Sequence, residues 1–145
     1  KVDSYISFID NTQKLNIHEL NNLRSWIILA AEKEGFSVGE LSINFCSDEG
    51  LHQINLKFLD HDTFTDIITF DYGSSESIAG EIHISLDRVT ENAENFHQDF
   101  MRETKRIIIH GVLHLLGYKD KSSTDKSQMT SKEDYYLSLL PDLES

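Results

Sequence analysis

The run from Ile107 to Leu116 constrains this chain more than any other stretch: apart from His110, Gly111 and His114 it is wholly aliphatic. It falls well short of the roughly 20 apolar residues that a membrane-spanning helix requires. It is also too apolar to lie on a water-facing surface. It must form a buried helix, and a domain has to be assembled around it. Two histidines go inside with that helix. Buried imidazoles without partners are costly, so the segment needs both a covering layer and something to satisfy its nitrogens.

The rest of the chain supplies that layer. At 145 residues there is room for one domain with a substantial core. No Gly/Ser-rich linker or repeat divides the chain, so a single domain over 1–145 is expected. Tyr5–Ile9 alternates as a first strand. Leu20, Leu23, Ile27, Ile28 and Ala31 recur at helical spacing from about His18 to Glu34, where Gly35 supplies a stop. Leu41, Ile43 and Phe45 alternate with Ser42 and Asn44 as a half-buried strand. Ser47 or Asp48 then caps a short helix carrying Leu51, Ile54 and Phe58. Ile67–Phe70 and Glu81–Ser85 read as two further strands, with Gly73 and Gly80 in a hairpin loop between them. Asp87 is the expected cap of a helix that breaks near Asn95–Asp99. Helices from about Met101 to Leu116 and from Thr124 to Leu140 follow, the last ended by Pro141. The expectation is an α/β (α+β) domain with a small mixed sheet of about four strands and about five helices.

Charge narrows the partners. Thirteen basic residues against 25 acidic ones give a net charge of −12, which repels phosphate backbones at long range. No DNA partner is expected, although a local basic strip remains compatible with RNA. The single cysteine, Cys46, excludes an internal disulfide framework and any multi-Cys zinc finger. Lys1-Val2-Asp3-Ser4-Tyr5 lacks the basic-then-apolar layout of a signal peptide. With no membrane-length run, a cytoplasmic location is expected.

His110 and His114 stand four residues apart on a predicted helix, so their rings leave one face one turn apart and can bind one metal. Gly117 stands where a left-handed residue commonly ends a helix. The chain then reverses, and Asp120 can swing back toward the same ion. Two neutral imidazoles and a carboxylate leave a fourth position open, as in catalytic zinc sites. One zinc ion per chain is expected, held by His110, His114 and Asp120. Arg106, one turn before His110, is a candidate phosphate stabiliser. Lys105, Lys119 and Lys121 form a local basic rim. His18, His52, His61 and His97 sit in polar settings and are expected at the surface. The side on which His83 falls depends on strand register. Asp60-His61-Asp62 reads as a loop, and Cys46 as a small buried side chain.

With these residues in view, the chain resembles the YbeY family of bacterial endoribonucleases, whose hallmark is His-Gly-x-Leu-His-Leu-x-Gly-Tyr-Asp-His. His110 to Tyr118 match it throughout. Ile54-Asn55, Thr65-Asp66-Ile67-Ile68-Thr69-Phe70, Gly80-Glu81-Ile82-His83-Ile84, and Met129 with Glu133 resemble further family elements in the same order. Three positions depart from the pattern. Asp120 replaces the usual third histidine, Phe58-Leu59 replaces a Tyr-Arg pair whose arginine is associated with activity, and Phe64 replaces a proline. The resemblance implies zinc-dependent cleavage of single-stranded RNA, maturation of the 3′ end of 16S ribosomal RNA on the small ribosomal subunit, and ribosome quality control.

Two other readings compete. The His-x-x-x-His-x-x-Gly-x-x-Asp layout mimics metzincin peptidases, but those place a glutamate directly after the first histidine as general base. Here Gly111 cannot move a proton. The other alternative is a non-catalytic ribosome-assembly factor with a structural metal, favoured by the acidic charge and the missing arginine.

Overall fold

A computed structural model describes residues 5–140; Lys1–Ser4 of the N-terminal segment and the expected helix stop at Pro141 lie outside the described residues. Strand β1 (Tyr5–Asp10) buries Ile6 and Phe8 on one face. It runs parallel to β2 (Ser37–Cys46), where Val38, Leu41, Ile43 and Phe45 are buried and alternate with less buried neighbours. β4 (Ser77–Ser85) runs parallel to β2 on its other side, and β3 (Ile67–Asp71) pairs antiparallel with β4. The sheet order is β1-β2-β4-β3, the mixed four-stranded sheet expected. β4 starts four residues earlier than the pattern suggests. As a central strand it has its backbone paired on both sides, so Ala79-Gly80 continues the ladder rather than forming loop.

The helices divide between the two faces. The expected first helix is interrupted: α1 (Ile17–Asn21) and α2 (Arg24–Lys33) are separated by a turn in which the Leu23 N–H donates to the Leu20 carbonyl. Leu20 and Leu23 are both fully buried, so the apolar spacing continues across the break and hides it. α3 (Asp48–Leu59) is capped by Ser47 as expected and lies against β3 and β4, with Phe58 edge-on to Phe70. α4 (Leu86–Asn95) is capped by Ser85, not by Asp87. Asp87 falls in the first turn, where its carboxylate instead accepts the backbone N–H of Asp48.

α5 (Phe100–Leu115) carries the aliphatic run, with Ile107, Ile108, Ile109, Val112 and Leu113 all buried. It crosses β3 and β4 on the main core face. Gly111 makes the crossing close: a β-carbon there would stand 3.0 Å from both Ile67 and Ile82 side-chain methyls. α6 (Ser123–Ser138) begins at a capping box between Ser122 and Asp125. It packs on α5 and α2, and the buried Trp26 indole donates to the Tyr136 carbonyl at 2.8 Å. No described helix is long and apolar enough to cross a membrane.

Candidate metal centre

The C-terminus of α5 closes in a Schellman turn: Gly117 N–H donates to His114 O and Tyr118 N–H to Leu113 O, both at 3.0 Å. Gly117 sits at φ +108°, which glycine adopts freely. The turn folds Tyr118 back over the last helical turn, so its carbonyl lies 3.1 Å from His114 Nδ1. Two residues later Asp120 arrives beside both imidazoles, its Oδ2 3.3 Å from His110 Nε2 and 3.7 Å from His114 Nε2. The two Nε2 atoms are 3.0 Å apart. The structure thus brings together all three residues read as ligands in the sequence.

Protonation follows from the partners. A carbonyl only accepts, so His114 must carry its proton on Nδ1. The Glu133 carboxylate, 2.6 Å from His110 Nδ1, requires the same of His110. In the neutral tautomers both Nε2 atoms then present lone pairs to each other and to the Asp120 carboxylate. Three converging electron pairs with no proton between them form a donor set that a cation would satisfy. A tetrahedron with zinc–ligand bonds of about 2.0–2.1 Å has donor–donor edges of about 3.3 Å. The three observed separations bracket that spacing, so the donor set fits a metal ion. The His110, His114 and Asp120 side chains are 20%, 26% and 40% exposed, so the centre is reached from solvent.

Further charges tune it. Burial depresses the pKa of His110, but the Glu133 hydrogen bond and charge, with Asp120 and Asp66, outweigh it and raise the pKa. His114 is lowered, by burial and then by neighbouring His110. Arg106 lies one turn before His110, but both its terminal nitrogens are engaged: Nη1 with Glu133 and Nη2 with Asp134, each at 2.8 Å. The phosphate-stabilising role expected of Arg106 therefore competes with two carboxylates that already hold it. Burial raises the carboxyl pKa of Glu103 against the opposing charge of Arg106, with Glu133 and Asp66 adding to the rise.

Glu133 is the site residue whose task the sequence concealed. It lies 23 residues from His110 in sequence, on a helix whose own pattern says nothing of metal. Only the packing of α6 on α5 joins the two.

The remaining histidines lie on other elements. His18, His61 and His97 are exposed, as expected. His52 is not: it stacks on Phe64 at 4.2 Å and holds Asp62 at 2.9 Å, an aromatic contact that loop composition could not reveal. His83 falls on the face opposite Ile82, bonded to Glu81 and edge-on to Phe70. Cys46 is half-buried, and burial, with Asp87 and Asp48, pushes its thiol up to about 11. Leu59, standing where the family pattern has arginine, is 40% exposed at the end of α3.

The family model described as endoribonuclease YbeY matches residues 5–141. A Cytophaga hutchinsonii protein named endoribonuclease YbeY is 45% identical over 140 residues, 96% of this chain and 97% of that one. The Christiangramia forsetii protein of the same name is 44% identical, covering 91% of each. A solution structure from Thermotoga maritima superposes with a TM-score of 0.68 at 27% identity, covering 91% of this chain and 86% of that chain. With the His-Gly-x-Leu-His run placed on a buried helix and its donors converging at one point, the chain belongs to the YbeY endoribonuclease family.

Proposed function

We propose that this protein is a metal-dependent endoribonuclease that cleaves single-stranded RNA, with one zinc ion held by His110, His114 and Asp120. The observation that carries the reading is the meeting of three potential metal-donor atoms, His110 Nε2, His114 Nε2 and Asp120 Oδ2, at near-tetrahedral spacing in a chain of this family. When bound, zinc supplies a Lewis acid that withdraws charge from a phosphoryl oxygen. The chain's own residues do the rest. Glu133 and the Tyr118 carbonyl hold the two imidazoles in the tautomer that donates through Nε2. Lys119 and Lys121, exposed on either side of Asp120, offer the cations that an otherwise acidic protein needs to meet a phosphate backbone. In this reading the activity is cytoplasmic and serves maturation of the 16S rRNA 3′ end on the small ribosomal subunit and ribosome quality control, a role supported by the family resemblance.

Gly111 speaks against the peptidase alternative. A metzincin base would occupy this position, and here the position is a glycine facing the sheet, where even a β-carbon would crowd the Ile67 and Ile82 methyls at 3.0 Å. The deciding experiment is cleavage of single-stranded RNA, duplex RNA and casein by protein purified without capture metal, with and without a chelator. Chelator-sensitive cutting of single strands alone, lost in His114→Ala, is the expected result. Casein hydrolysis lost in the same variant would overturn the reading. Metal binding without any hydrolysis would indicate an assembly factor.

A further inference from the structure

Gly117 turns the chain toward the metal centre but does not hold it there. Nothing lies within 4 Å of where its β-carbon would be, so beyond the two backbone hydrogen bonds of the turn no packing at Gly117 itself directs the chain. The next residue is anchored at two ends. The Tyr118 carbonyl accepts from His114 Nδ1, while its phenol donates to Glu34 Oε1 at 2.6 Å, across 84 residues of sequence. Glu34 follows the last residue of α2. Its side chain is only 14% exposed, and its other oxygen accepts from the Tyr136 hydroxyl and from Lys132 Nζ at 3.0 Å. Lys132 Nζ also stands 5.6 Å from the centre of the Tyr118 ring. A rigid ring thus runs from a carboxylate clamped on three sides to the carbonyl that fixes the His114 ring, two residues ahead of Asp120.

We infer that Glu34 is a positioning residue of the metal centre, acting through Tyr118 to set both the orientation of His114 and the approach of Asp120. The inference rests on the reading of His110, His114 and Asp120 as metal ligands. Loss of a group bonded directly to a ligand commonly costs about ten- to a hundredfold in metal affinity. Glu34 acts one residue further out, so a loss at the lower end of that range is expected. Tyr136 supplies the contrast. It bonds the same carboxylate and touches the same core, yet it is not on the path through Tyr118 to His114.

The test compares wild type, Glu34→Gln, Tyr118→Phe and Tyr136→Phe. Cobalt(II) is titrated against a competing chelator while its visible absorption is recorded. The His114 Nδ1–H resonance is followed by nitrogen-edited NMR in the metal-free proteins. Glu34→Gln and Tyr118→Phe, which keep the Tyr118 carbonyl but free it to move, are expected to lose about tenfold in cobalt affinity, to change the absorption band and to broaden the His114 resonance. Tyr136→Phe is expected to melt at lower temperature with cobalt affinity and resonance unchanged. Wild-type affinity and absorption in the first two variants would overturn the inference, as would an equal loss in Tyr136→Phe. If wild type binds no cobalt but the resonance still responds to Tyr118→Phe and not to Tyr136→Phe, the metal reading fails and the positioning of His114 stands. If the resonance does not respond either, both fail.

Discussion

Glu133 Oε2 stands 2.6 Å from His110 Nδ1 while its other oxygen accepts from Arg106 at 2.8 Å, so one carboxylate fixes the imidazole and is itself fixed by a cation. The carboxylate–histidine pair raises the donor strength of the imidazole toward a metal. Glu133→Gln keeps an acceptor near His110 but removes the charge. It should weaken metal binding by about ten- to a hundredfold, read by titration against a competing chelator, with little change in secondary structure. Unchanged affinity would mean that His110 needs no carboxylate behind it.

Arg106 gives a separate expectation. Its guanidinium is bonded to Glu133, whose side chain is 9% exposed, and to the more exposed Asp134. Arg106→Ala would leave the Glu133 carboxylate partly unpaired in a buried position, which costs about 1–3 kcal/mol. Chemical denaturation should show that loss in metal-free protein. A role confined to substrate phosphate would leave the metal-free stability unchanged.

Gly111 is held to glycine by the sheet. An alanine β-carbon would meet Ile67 Cδ1 and Ile82 Cγ2 at 3.0 Å and Ile82 Cδ1 at 3.1 Å, all on buried or half-buried side chains. The gain in helix propensity from Gly to Ala, about 1 kcal/mol, is offset by overpacking of about 1–3 kcal/mol. Gly111→Ala should therefore be neutral to destabilising by up to about 2 kcal/mol, measured by denaturant unfolding. A clear stabilisation would show that α5 can lift from the sheet without loss.

The legible parts of this molecule are those written in short-range pattern. The strand alternation in β2, the cap at Ser47 and the His110-x-x-x-His114 face with its Gly117 turn all follow from spacing within about a dozen residues. The break between α1 and α2 was hidden because Leu20 and Leu23 keep the apolar rhythm through it. Ser85 takes the cap from Asp87 because β4 runs directly into α4, leaving no loop in which an aspartate could serve. The partners that orient the centre, Glu133 on His110 and Glu34 on Tyr118, come from helices docked side by side. No local periodicity encodes such a contact.

Asp120 is where the chain leaves its family's pattern, and its Oδ2 lies within 3.7 Å of both imidazoles. Asp120→Ala leaves two imidazoles to hold the ion and should weaken zinc binding strongly and abolish RNA cleavage. Asp120→His should retain the metal, since imidazole binds zinc at a similar bond length. A zinc titration of both variants decides the matter. If Asp120→Ala binds as tightly as wild type, the third donor is another residue.

Acid should unfold this protein partly through Glu34. Burial pushes its carboxyl up, but hydrogen bonds from Tyr118, Tyr136 and Lys132, with the Lys132 charge, outweigh that and hold its pKa below the ordinary 4.5. A carboxyl depressed in the folded state binds protons more readily when unfolded. Its contribution is therefore complete above the unfolded value and lost as pH falls through the folded one. Glu103 works in the opposite direction, since its carboxyl is raised by burial and takes up a proton while still folded. The measured slope is the difference of such effects, so the comparison has to be between variants. In metal-free protein, wild-type stability should fall as pH drops below 4.5, and Glu34→Gln, with no carboxyl to protonate, should show a shallower fall from a lower starting stability. Denaturant unfolding from neutral pH down through that window reads both slopes. Parallel curves for the two proteins would mean that the Glu34 carboxylate draws no net stability from its three partners.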